Sequence, residues 1–224
     1  MRNDFQSNYL MHHGILGQKW GVRNGPPYPL NSTKLASSIH KYAVKNEPKI
    51  TRDVTEAANK AGSKMHGLEH KLKTRESTAR KIRTDAEEKR ISEFESAANI
   101  KDAVRYTTLT PDDSFVSAYN SFKENLANKG YTETRCKNYF ELYREGKVKH
   151  KSVQSVFKSP DGYLFEVQFQ TPSSQKAKDK KVPIYEERRK PGLSKERQLE
   201  LEKQMEQLAE EVAEPKDISK IKSH

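Results

Sequence analysis

The run Gly162-Tyr163-Leu164-Phe165-Glu166-Val167-Gln168-Phe169-Gln170-Thr171 limits the folds open to this chain more than any other stretch. Phe165, Val167 and Phe169 alternate with Glu166, Gln168 and Gln170, the period-two pattern of a strand with one apolar and one polar face. Ser159-Pro160-Asp161-Gly162 just before it is a turn signal, and Val153 to Phe157 is another short apolar run, so a hairpin is predicted. Three polar side chains on one strand face can floor a site. A carboxylate there can hold a divalent cation or take a proton, and amides both donate and accept hydrogen bonds. The same pattern describes the solvated outer face of an antiparallel hairpin, and the residues alone leave both readings open.

The core beneath such a strand cannot extend over the whole chain. Of 224 residues 33% are hydrophobic and 33% charged, with a mean hydropathy of −1.03. This predicts a core segment of roughly 120 residues with polar helical or disordered flanks. The net charge of +11, from 42 Lys and Arg against 31 Asp and Glu, favours polyanionic partners such as nucleotides or RNA, and equally describes a solvated basic surface. The one cysteine, Cys136, excludes an internal disulfide and a cysteine-based zinc site and suits a reducing compartment. No apolar run approaches the ~18 residues of a membrane span, so no membrane partner is expected. The N-terminus lacks the apolar stretch of a secretory signal.

Residues 1–30 form a leader in which Gly and Pro interrupt any helix or central strand while Tyr9, Leu10, Ile15, Leu16 and Trp20 suit docking. His12 and His13, with His40, have no third ligand at a metal-site spacing. Residues 31–64 read as a linker that is partly helical, with a helix from Asp53 to Gly67. A basic segment follows from His70, with Ser77 as the expected helix cap. Its cations beside a helix N-terminus would suit a polyphosphate, although such a run is also common on a charged surface helix. Ile100 to Thr110 reads as a strand, Asp112 or Asp113 to Asn128 as a helix, and Tyr131 to Tyr143 and Lys151 to Phe157 as strands. Ser173 to Arg189 is a predicted helix interrupted or kinked at Pro183, and Leu193 to Ala213 an amphipathic one. The tail after Pro215 is expected to be disordered.

Asp102 and Glu166 thus fall on two separated strands, and two carboxylates holding a magnesium ion against nucleotide phosphates recur in phosphoryl transfer. Four blocks over residues 65–190 resemble the RelA/SpoT-type alarmone synthetases. The first is Lys71-Leu72-Lys73-Thr74-Arg75-Glu76-Ser77-Thr78-Ala79-Arg80-Lys81, similar to the family's ATP-binding pattern. The second is Lys101-Asp102-Ala103-Val104-Arg105-Tyr106, the third His150-Lys151-Ser152-Val153-Gln154, and the fourth Glu166-Val167-Gln168-Phe169-Gln170-Thr171. The resemblance implies an α+β, nucleotidyltransferase-like fold with a mixed, mainly antiparallel sheet flanked by helices, between a disordered leader and a C-terminal helix and tail (191–224). It implies pyrophosphate transfer from ATP with Mg²⁺ as cofactor. Lys71, Lys73, Ser77, Arg80 and Lys81 would bind ATP, Asp102 and Glu166 the metal, and Arg105 a phosphate, with Glu166 as the candidate base. His150, Lys151, Gln154, Gln168 and Gln170 would face the acceptor.

The chain departs from the family mainly on the acceptor side. Arg105 follows Asp102 more closely than in the family motif, His150 stands for the stacking Tyr, Gln154 for His and Gln170 for Arg. With two cations missing, GTP and GDP are expected to be poor acceptors, and an RNA end or an adenine nucleotide a better one. The leader, His12-His13-Gly14-Ile15-Leu16-Gly17-Gln18-Lys19-Trp20-Gly21-Val22-Arg23, resembles one found on minor structural or virion-associated proteins of phages and prophages. It implies a phage-encoded protein of the bacterial cytoplasm or the virion, with virion components as partners. Two functions follow: a toxin-like pyrophosphokinase, or an inactive interaction protein that keeps the fold.

Overall fold

The computed structural model describes residues 31–190 and 192–224; the leader and the expectations attached to it lie outside them. Five strands, β1 (Lys64–His66), β2 (Arg105–Leu109), β3 (Thr132–Asn138), β4 (Val153–Lys158) and β5 (Leu164–Gln170), form one sheet in the order β1-β2-β5-β4-β3. β5 is therefore central. It pairs antiparallel with β4, as the predicted hairpin requires, with Phe165 opposite Phe157. On its other edge it runs parallel to β2, with Arg105 level with Glu166. The sheet is mixed and mainly antiparallel, as expected.

The apolar face of β5 anchors the core. The Phe165 ring meets Tyr106 and Tyr131 edge-on and stacks on Phe157, with centroids 5.8–6.0 Å apart. Phe169 meets Tyr119 and Phe122 of helix α4 (Phe115–Ala127) at 5.0 and 5.1 Å. Each such pair adds about 0.5–1.5 kcal/mol to the burial of its rings. The polar face is buried as well, which overturns the solvated-face reading. Helix α6 (Pro172–Arg188), begun by a capping box at Thr171 and continuous through Pro183, lies over it.

Before the sheet, helix α1 (Ser32–Lys60) runs unbroken through Pro48 where a mixed segment was expected. Asn31 caps it, accepting from the Lys34 N–H, and Leu35, Ala43, Ile50, Val54 and Ala58 bury one side. Helices α2 (Arg75–Lys89) and α3 (Glu93–Ala98) follow. A 3-10 turn at Asp112–Ser114 precedes α4, so the helix starts later than its acidic residues suggested.

The stretch read as a long strand to Tyr143 instead ends at Asn138. The side chain of Asn138 accepts from the Phe140 and Glu141 N–H groups and starts helix α5 (Tyr139–Arg144). Helix α7 (Lys195–Glu210) packs on α6 through Arg188–Glu202 and Arg197–Glu187 ion pairs.

The tail beyond Pro215 is ordered, against expectation. Ile218 and Ile221 are buried in the core, and the Asn138 amide donates to both of their carbonyls at 3.0 and 2.9 Å. His224 and Cys136 exchange backbone hydrogen bonds. Core residues thus run from Leu35 to Ile221. Among the described residues no helix is long and apolar enough to cross a membrane.

Candidate active site

The basic segment is held against the start of β2. Leu72 bridges Val104, the Lys73 N–H donates to the Ala103 carbonyl, and the Arg105 N–H donates to the Lys71 carbonyl at 2.8 Å. α2 then begins, capped by Thr74 rather than Ser77; the Thr74 hydroxyl accepts from the Ser77 N–H. Its first turns carry Ser77, Arg80 and Lys81 along one wall of an open cleft of about 1060 Å³, to which Lys73 and Arg105 also contribute.

The far wall is the end of α6, with Tyr185, Arg188 and Arg189, which sequence reasoning did not single out. The Arg189 guanidinium lies 4.0 Å from the Tyr185 ring centre, and one of its nitrogens donates to the Tyr185 hydroxyl. Asp85 also lines the cleft and shares Lys81 at 3.5 Å. Lys71 does not join this group: its ammonium turns to Glu47 of α1 at 3.4 Å.

Asp102 lies in the loop just before β2, not within a strand as expected. Lys73 donates to its Oδ2 at 2.6 Å, while its Oδ1 is buried without a hydrogen-bond partner. Burial alone would raise the Asp102 pKa, but the charge and hydrogen bond of Lys73, with Lys81 and Arg105, hold it below the ordinary carboxylate range. Glu166 is 8% exposed and accepts from the Gln168 amide at 2.7 Å. Arg105 is level with Glu166 on the neighbouring strand and acts through space on Asp102. Among the described residues no cluster of three or more His, Cys, Asp and Glu could hold a metal on its own.

A smaller pocket, about 150 Å³, opens between β5, β4 and α6. It brings together the acceptor-side residues named from sequence, His150, Lys151, Gln154, Gln168 and Gln170. Gln170 is fixed by a hydrogen bond from Ser174 at 2.5 Å. His150 packs against Tyr139, with centroids 4.3 Å apart, so one face of the imidazole is already covered. His150 keeps an exposed edge, and its partial desolvation, then the charges of Lys181 and Lys178, hold its pKa below the ordinary imidazole value.

The residues that sequence reasoning missed here are Ser174, Ala177, Lys178 and Lys181 on α6, and Val212. The stripe Ser174, Ala177, Lys178, Lys181 has the 3–4 spacing of a single helix face, a signal available in the sequence. It supplies the pocket with cations that Gln154 and Gln170 do not.

The cleft thus gathers cations and the smaller pocket amides and lysines, with Arg105 of the one level with Glu166 in the sheet and Gln168 of the other hydrogen-bonded to it. The sequence matches no family model and no curated protein. Among solved structures, small alarmone synthetase 1 from Bacillus subtilis aligns with a TM-score of 0.51 at 15% identity, over 76% of this chain and 90% of that one. Small alarmone synthetase 2 from Bacillus subtilis gives 0.48 at 17% identity, over 77% and 87%. The type VI effector Tas1, solved with its immunity protein, gives 0.46 at 18% identity, over 77% and 93%. The chain has a RelA/SpoT-like fold.

Proposed function

We propose that the chain transfers the pyrophosphoryl group of ATP to a hydroxyl of a nucleotide or RNA acceptor. The observation that carries this reading is that two cavities of different chemistry are each linked to Glu166, the cleft through Arg105, level with it on the neighbouring strand, and the pocket through Gln168, which donates to it. On one side lie five sequence-named groups, Lys73, Ser77, Arg80, Lys81 and Arg105, in a cleft large enough for a nucleoside triphosphate. On the other lies a pocket of amides and lysines, joined to Glu166 through Gln168. The fold shared with a small alarmone synthetase supports the class of reaction.

In this scheme ATP lies along α2, its phosphates meeting Lys73, Arg80 and Lys81 and the hydroxyl of Ser77. Glu166 accepts the proton of the acceptor hydroxyl. The oxygen attacks the β-phosphorus, the bond from that phosphorus to the α,β-bridging oxygen breaks, and AMP leaves. Arg105 neutralises charge that grows on the transferred group. The donor set also fits a magnesium ion, because Asp102 has a buried oxygen without a partner, and such an ion takes one or two carboxylates and fills its remaining positions with phosphate and water. Asp102 and Glu166 would hold it, and bound there it would offset negative charge on the phosphates. Residues 65–190 make up the catalytic segment, with α1 and the C-terminal segment as its packing partners.

Thin-layer chromatography of the purified protein with γ-labelled ATP, magnesium and GDP, GTP, ATP or tRNA in turn tests the reading. A labelled product that requires one acceptor and magnesium is expected. No transfer to any of the four would overturn it.

A further inference from the structure

The small pocket is lined by three lysines with, among the described residues, no carboxylate within ion-pair distance, one of which, Lys151, also lies with its ammonium 4.5 Å from the Tyr143 ring centre. The Lys178 Nζ donates to Gln168 Oε1 at 2.8 Å, that of Lys181 to the Lys149 carbonyl at 2.6 Å, and that of Lys151 to the Val212 carbonyl at 2.7 Å. Every one of these acceptors is a neutral oxygen. Among the described residues none of the three lysines has an Asp or Glu within ion-pair distance, although Lys149 and Lys180 beside them are paired with glutamates of α7 and the turn after it. Glu166 and Asp179 act on Lys178 only through space.

Half-buried cations gathered in this way are costly unless an anion joins them. Burial, then Arg105, pushes Lys178 down to about 8, and burial, then Lys151, does the same to Lys181.

Resting on the acceptor side of the proposed reaction, we infer that Lys151, Lys178 and Lys181 form a receiving site for a phosphate group, the anionic end of the acceptor. At about 150 Å³ the pocket takes a phosphate or pyrophosphate but not a whole nucleoside, since pockets for drug-sized ligands span roughly 300–1,000 Å³. The phosphate therefore enters and the nucleoside stays outside, towards the open edge of His150. Lys178 and Lys181 belong to none of the four sequence blocks. They set specificity for phosphate-bearing acceptors from α6, in place of the side chains at positions 154 and 170.

The test is calorimetric titration of the full chain with inorganic pyrophosphate, GDP, ADP and guanosine, after the large cleft has been saturated with a non-hydrolysable ATP analogue. Binding of at least one phosphate compound but not guanosine is expected. Lys178→Met and Lys181→Met, which keep the length of the side chain and relieve charge crowding, should each weaken it about ten-fold or more, with Lys158→Met as an unaffected control. Binding of pyrophosphate as tight as that of any nucleotide would mark a free anion as the natural ligand. Tighter binding of GDP or ADP would mark the acceptor itself. Absence of binding by all phosphate compounds, or binding indifferent to both substitutions, would overturn the inference.

None of this requires turnover. An active enzyme whose acceptor KM ignores Lys178→Met sinks the inference and spares the proposed reaction. An inert protein that binds pyrophosphate through Lys178 does the opposite.

Discussion

Replacing Glu166 by Gln separates chemistry from architecture at the centre of the sheet. The amide keeps the volume of the side chain and an oxygen for the Gln168 hydrogen bond, so packing under α6 is retained. What is lost is one buried negative charge that acts through space on Lys178. Two unit charges in contact are worth about 4 kcal/mol at an effective permittivity of ~20, and among the described residues no cation lies within ion-pair distance of Glu166, so the attraction lost is smaller than that. The cost of desolvating the carboxylate disappears at the same time and offsets most of this, so stability should move by no more than about 1–2 kcal/mol. The rate behaves differently, because a positioned base contributes about 100- to 10,000-fold. Turnover of labelled ATP at saturating acceptor should fall within that range while the urea midpoint stays close to wild type. A wild-type rate would refute Glu166 as the base, and loss of folding would refute the balance of charges described here.

Arg80→Ala should weaken ATP binding about ten-fold or more, as read by calorimetry, because one charge-assisted contact is removed from the cleft wall; unchanged affinity would make α2 a plain surface helix. Burial would raise the Asp53 pKa, but hydrogen bonds from Tyr131, Lys129 and Lys49 pull it to about 2, below its value in the unfolded chain. Its stabilisation is therefore complete above about pH 4 and is lost as pH falls through 2, amounting to about 2 kcal/mol. Asp53→Asn should flatten that acid limb in urea titrations; parallel wild-type and variant losses would contradict the assignment. Asn138→Ala removes the cap of α5 and leaves the Ile218 and Ile221 carbonyls without their donor, a loss of about 1–3 kcal/mol, with faster proteolysis of the tail as the second readout. An undiminished urea midpoint would show that the tail is held by its isoleucines alone.

The strand pattern of residues 164–170 and the hairpin before it were legible because alternation and turn residues are local signals. Burial of Glu166, Gln168 and Gln170 was not, because the helix that covers them comes later in the chain and is itself polar. α6 contacts the sheet through Ser174, Ala177 and Lys178, so no apolar stripe announced it. The cleft was legible in its basic spacing, but Lys71 follows the backbone to Glu47 while Lys73 turns inward. The alternation of residues on either side of an extended segment makes that division. Order beyond Pro215 depends on Asn138, a distant partner that no window around the tail contains. Tyr139 was hidden in the same way, its helix begun by an Asn inside what read as a strand.

The place of β5 in the sheet has a consequence for the chain while it is being made. It is the last strand in sequence, yet it must slide between two that are already synthesised, parallel to one and antiparallel to the other. At ~5–20 residues per second, Glu166 leaves the ribosome several seconds after Arg105. Until then the nascent polypeptide has the basic wall and Asp102 but neither Glu166 nor the lysines of α6. A product terminated before β5 would lack the central strand, and the two cavities would be completed only in a late step of folding.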